Sequence, residues 1–69
     1  MGIEHVVGQN VRRIRRERGV SQEALAYDAG VARGYMSGIE RGEKNPTVKL
    51  LARIAQVLRC TVAELVTEQ

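Results

Sequence analysis

Between Ser21 and Arg41 the sequence SQEALAYDAGVARGYMSGIER permits few architectures, because two short helix-forming stretches meet at a glycine. Ser21 is a good N-cap, Gln22 and Glu23 place polar and acidic groups in a first helical turn, and Leu25 with Ala29 gives an apolar spacing that ends at Gly30. Glycine takes the left-handed conformation without a Cβ penalty, so Gly30 closes this helix and turns the chain. A second helix is predicted from about Arg33 to Glu40, with Gly42 stopping it. Two helices joined by so tight a corner form a helix-turn-helix.

The rest of the chain also reads as helix. Strand-like alternation, linkers and repeats are absent, and the expectation is an all-α fold of five helices in a single domain, 1–69. A first helix from about Ile3 to Arg18 places Ile3, Val7, Val11, Ile14 and Arg18 on one stripe, and Gly19 ends it. Pro46 pushes Asn45 away from helical angles in the charged loop 42–46, after which Thr47 caps a fourth helix running to about Leu58. Thr61 with Glu64 makes a capping box for a short fifth helix carrying Val62, Leu65 and Val66.

A chain of 69 residues buries only a marginal core unless a disulfide, a metal or a partner adds to it. One Cys and one His, Cys60 and His5, supply neither a disulfide nor a zinc-ligand spacing, so no cofactor is expected and oligomerisation is what remains. Cys60 reads as a small hydrophobe, with a regulatory thiol as the alternative. The start MGIEHVVGQN has too short an apolar run for a signal peptide, which points to a cytoplasmic protein with no membrane partner and no evident small-molecule ligand. Net charge is only +3, yet five arginines crowd into residues 12–18. Local positive charge of that kind suits a polyanion surface.

On a helical wheel of residues 33–40, Arg33, Gly34, Ser37, Gly38 and Arg41 share an arc of roughly 140°, while Tyr35, Met36 and Ile39 point away. Two helix-interior glycines cost roughly 1 kcal/mol each, which a merely solvated face gives no reason to carry. The alternative is a helix backbone that sits deep in a DNA major groove while Arg33 reaches for base edges. Gln22, at a helix N-terminus, is either a capping-region polar residue or a phosphate ligand, and Lys44 and Asn45 are either solvated or backbone contacts.

The arginine cluster divides. Arg12, Arg13 and Arg16 point outward, whereas Arg15 borders the apolar stripe and is expected to bridge to Glu40, locking the first helix to the third. Ser21, Ser37, His5 and Asp28 are triad residue types without a cleft or oxyanion motif, so no enzyme is expected. With no Phe or Trp, base stacking on aromatic side chains is disfavoured too. In the fourth helix the apolar residues cover roughly 220°, wider than one core requires. That surplus, continued by Val62, Leu65 and Val66, predicts a homodimer interface.

SQEALA, AGVARGYMSGIERG and NPTVKLLARIAQVL together resemble the lambdoid-repressor (Cro/C1, XRE-type) helix-turn-helix family, and YMSGIERGEKNPT is most similar to restriction-modification controller proteins. The resemblance covers nearly the whole chain. It implies a sequence-specific regulator of transcription that binds double-stranded DNA as a dimer on a palindromic operator. Arg33, Gly34 and Ser37 would lie at the bases, Gln22, Tyr35, Arg41, Lys44 and Asn45 would hold phosphate, and Arg15 would pair with Glu40. Three positions depart from the family pattern: Ala32 replaces a capping Ser, Thr or Asp, Gly34 a polar base-contacting residue, and Arg59 a helix-ending glycine. An antitoxin-type or conjugation regulator, or a protein-interaction adaptor on the same fold, are the alternatives.

Overall fold

The computed structural model describes residues 2–68. Its helices are α1 (Ile3–Glu17), α2 (Gln22–Ala29), α3 (Arg33–Glu40), α4 (Val48–Leu58) and α5 (Val62–Val66), and no strand occurs among the described residues. The described residues form an all-helical fold of five helices, as the sequence predicts. Caps explain most boundaries. Side-chain oxygens of Ser21, Thr47 and Thr61 accept from the backbone N–H of Ala24, Leu50 and Glu64, and Glu64 returns the bond to Thr61 in a full capping box. Ala32 gives α3 no side-chain cap.

The helices end on left-handed residues. Gly19, Gly30 and Gly42 have φ of 69°, 78° and 77°, and Arg59 takes the same region at φ 57°, a strained position for a residue with a Cβ. At the α2–α3 corner Val31 N–H donates to Ala26 O and Gly30 N–H to Tyr27 O, so the last carbonyls of α2 are satisfied as the chain turns.

The core is contributed by every helix: Val11, Leu25, Met36, Ile39, Ile54, Leu58 and Leu65 are fully buried. Helix α1 packs on α3 and α5, and α2 packs on α3 and α4. Gly8 permits the α1–α3 approach. A Cβ there would collide with the carbonyl oxygen of Ile39 and lie 2.8 Å from that of Glu40, so α1 rests directly on the end of α3. Asn10, almost fully buried, donates from Nδ2 to Leu65 O and Thr67 O, each at 2.9 Å, and ties α5 to α1. Arg18 Nε donates to Leu58 O at 2.9 Å and closes the end of α4.

Two expectations from the helical stripes need correction. Ile3 is 50% exposed, because the stripe of α1 extends beyond the body of the protein at its first turn. Leu65 is 0% exposed: it fills this chain's own core under α1 and α4, and its side chain is not free to meet a second copy. Val62 and Val66 are half-buried at the edge of that core. The surplus apolar surface of α4 lies instead at Val48, 75% exposed, and at Ala52.

Candidate nucleic-acid interface

A cleft of about 540 Å³ beside the N-terminus of α2 and along α3 is lined by Arg12, Arg16, Ser21, Gln22, Arg33, Ser37 and Arg41, with the paired Arg15 and Glu40. Helix α1 supplies two of these arginines and the helix-turn-helix the rest, so the cluster and the motif become one surface. The other arginines of α1 and its C-cap are engaged: Arg13 with Glu17 at 3.4 Å, Arg15 with Glu40, and the C-cap Arg18 with Leu58 O.

Arg15, at the border of the apolar stripe of α1, bridges to Glu40 at the end of α3. Arg15 Nε and Nη2 donate to the two carboxylate oxygens at 2.7 and 3.1 Å, a bidentate pair whose side chains are 11% and 5% exposed. Arg15 Nη1 also donates to Val20 O at 2.9 Å, which secures the turn between α1 and α2. Gln22 joins this network. Its Nε2 donates to Glu40 Oε1 at 3.1 Å, so the amide stands at the cleft with a fixed orientation.

On α3 the predicted outward residues divide into two groups. Arg33 and Gly34 are exposed, and nothing lies within 4 Å of a Cβ built on Gly34. Gly38 is different: it is buried, and a Cβ there would lie 2.9 Å from Lys44 Cγ. The stem of Lys44 lies across Gly38, and its Nζ sits 5.7 Å from the centroid of the half-buried Tyr35 ring. One of the two glycines therefore answers to packing within the chain, and only Gly34 is open to a ligand.

Arg41 continues the cleft from the end of α3. It donates to Ser37 Oγ from Nη1 and to Glu43 Oε1 from Nη2, the latter at 3.1 Å. Hydrogen bonding and charge from Arg41 hold the Glu43 carboxyl below its usual range, and the same pair raises the guanidinium. Asn45 is exposed beside Pro46. Among the described residues no cluster of His, Cys, Asp and Glu could hold a metal ion, and no helix is long and apolar enough to cross a membrane.

Sequence reasoning missed Gly8, Asn10, the Gln22–Glu40 bond and the Lys44–Gly38 contact. An asparagine at the border of the apolar stripe of α1 is a signal that could have found Asn10, since a polar side chain on a packed face requires a partner.

These features define a helix-turn-helix module with a basic cleft at the entry to its second motif helix. Residues 11–65 match the HTH_3 helix-turn-helix family, and the chain belongs to it. The chain is 43% identical, over 67 residues, to the uncharacterized HTH-type transcriptional regulator y4dJ of Sinorhizobium fredii, covering 97% of this chain and 87% of that one. It superposes on the restriction-modification controller protein C.AhdI of Aeromonas hydrophila with TM-score 0.85 and 35% identity, over 90% of this chain and 94% of that one. On the biofilm master regulator SinR in complex with DNA the TM-score is 0.83, with 39% identity over 88% of this chain and 98% of that one. The chain is thus a transcriptional regulator with a helix-turn-helix DNA-binding fold, not an enzyme.

Proposed function

We propose that this chain is a single-domain, cytoplasmic, sequence-specific DNA-binding regulator that acts as a homodimer on a palindromic operator, with α3 in the major groove. One cleft gathers Arg12, Arg16, Arg33 and Arg41 beside the N-terminus of α2 and along α3 from its first residue to its C-cap, and this supports the proposal. Helix N-termini and arginines both favour phosphate, and the free N–H groups of an uncapped α3 add to that preference. Arg33 is the base reader, through guanine O6 and N7. Beside it Gly34 removes the side chain that would hold the backbone off the bases, while Ser37 lies one turn further along. Gln22, Arg41, Lys44 and Asn45 hold phosphates, with Tyr35 at the edge of the contact.

The dimer rests on Val62, Val66 and the outer face of α4 at Val48 and Ala52, with Leu65 assigned to the core. A two-fold axis then sets the two α3 helices one DNA turn apart, about 34–36 Å. Titration of parent and Arg33→Ala against the tightest duplex recovered from a randomised pool, and against a scrambled duplex, tests the reading. Arg33→Ala should lose about 1–3 kcal/mol on the selected duplex and much less on the scrambled one. Parent binding that fails to weaken with salt would refute DNA binding and favour a protein-interaction adaptor.

A further inference from the structure

Resting on that reading, we infer that Glu43 is a positioning residue that occupies Arg41 in place of a DNA phosphate and so holds down sequence-independent affinity. The geometry places the Glu43 carboxylate where a phosphate oxygen would bind: its Oε1 accepts from Arg41 Nη2 at 3.1 Å while Nη1 is engaged by Ser37. Arg41 lines the cleft and Glu43 follows it in the next loop, and both partners stay open to solvent, at 56% and 58% exposure. The largely buried Arg15–Glu40 pair cannot exchange partners without leaving a poorly hydrated charge unpaired at the base of the cleft. An exposed pair exchanges at little cost.

The sign follows from charge. An Arg41–Glu43 pair brings no net charge to the duplex, so it displaces no condensed cation from the phosphates. If Arg41 turns to a phosphate, the freed carboxylate stays two residues away in the same loop and repels it. Either route subtracts from binding to any duplex, whatever its sequence. Among the described residues Arg12, Arg16 and Arg33, on the same cleft, have no carboxylate partner, so they keep their full charge toward the phosphates. Lys44, the residue next to Glu43, has its stem on Gly38 and its ammonium over Tyr35, and its charge acts on the carboxylate more weakly than the hydrogen bond and charge of Arg41 do.

The test is Glu43→Gln, which keeps the side chain's shape and removes its charge, measured beside Glu43→Ala by fluorescence anisotropy on a scrambled duplex over a range of salt. Glu43→Gln should bind roughly two- to tenfold more tightly at low salt, with a log–log salt slope steeper by about 0.9. In an Arg41→Ala background the same substitution should change neither affinity nor slope by a comparable amount. Thermal melting of both Glu43 variants should match the parent, because the site is exposed. Unchanged affinity and slope in Glu43→Gln would overturn the inference, and so would an equal gain in the Arg41→Ala background, which would reveal a general effect of net charge. A parent with no salt-dependent binding refutes the DNA reading itself, whereas a steep parental slope with an inert Glu43→Gln refutes this inference alone.

Discussion

Replacing Glu40 with Ala removes the acceptor for two Arg15 donors and for Gln22 Nε2, leaving the Arg15 guanidinium with Val20 O alone. Breaking a buried ion pair by removing one partner costs about 3–5 kcal/mol, most of it the desolvation of the charge left behind. Here the stranded guanidinium borders the open cleft, so water reaches it and the lower end, about 3 kcal/mol, is expected. A domain of this size has roughly 3–10 kcal/mol of stability in total, and each kcal/mol moves its midpoint by about 4–8 °C. Glu40→Ala should therefore lower the melting midpoint by about 12–24 °C in circular-dichroism melts. The Arg13–Glu17 pair is an internal control, since its side chains are 39% and 51% exposed and its nitrogen–oxygen distance is 3.4 Å. Glu17→Ala should shift the midpoint by no more than about 4 °C. Arg15→Ala with Glu40→Ala should lose less than the two single losses added together, because no charge remains stranded. A Glu40→Ala midpoint as close to the parent's as that of Glu17→Ala would mean that the Arg15–Glu40 pair is solvated and contributes little.

Gly8→Ala should destabilise by at least about 1–3 kcal/mol despite the better helix propensity of alanine, because backbone carbonyls of α3 leave no room for the methyl group; a midpoint at or above the parent's would show that α1 moves away freely. Gly34→Ala should do the opposite to the free protein, raising the midpoint by up to about 4–8 °C through helix propensity, while weakening the selected duplex roughly fivefold. Undiminished affinity there would mean that the start of α3 keeps its distance from the bases. Burial, with Glu64 adding to it and Arg18 opposing, pushes the Cys60 thiol up. Its alkylation should be slow at neutral pH and should accelerate only above the usual thiol range, where a pH–rate profile matching an unstructured cysteine peptide would contradict the burial.

The helices are legible in the sequence because their punctuation is local: Ser21, Thr47 and the Thr61–Glu64 box start them, and Gly19, Gly30 and Gly42 end them. Arg15–Glu40 is legible because a long cation at the border of an apolar stripe and a carboxylate at a helix end have few other places to go. What escapes is set by how helices approach one another. Gly8 looks like a weak helix residue until α3 lies against it, and Gly38 looks like Gly34 until the loop folds Lys44 across it. Leu65 follows the same rule, since an apolar residue on a short last helix is equally suited to a partner or to its own core. Amphipathic periodicity gives the face and leaves open what covers it.

Asn10 gives the chain a clasp between its two ends. Helix α5, Val62–Val66, is too short to persist on its own, since a single turn gains too few hydrogen bonds to repay nucleation. Its order comes from the burial of Leu65, from the Thr61–Glu64 box and from an amide 55 and 57 residues away in sequence, which holds the carbonyls of Leu65 and Thr67 against α1. The last helix therefore joins the opening unit of the whole chain instead of fraying as a tail. Because α1 also carries Arg12 and Arg16, any load placed on α5, such as a second copy pulling on Val62 and Val66, reaches the basic cleft through one rigid rod.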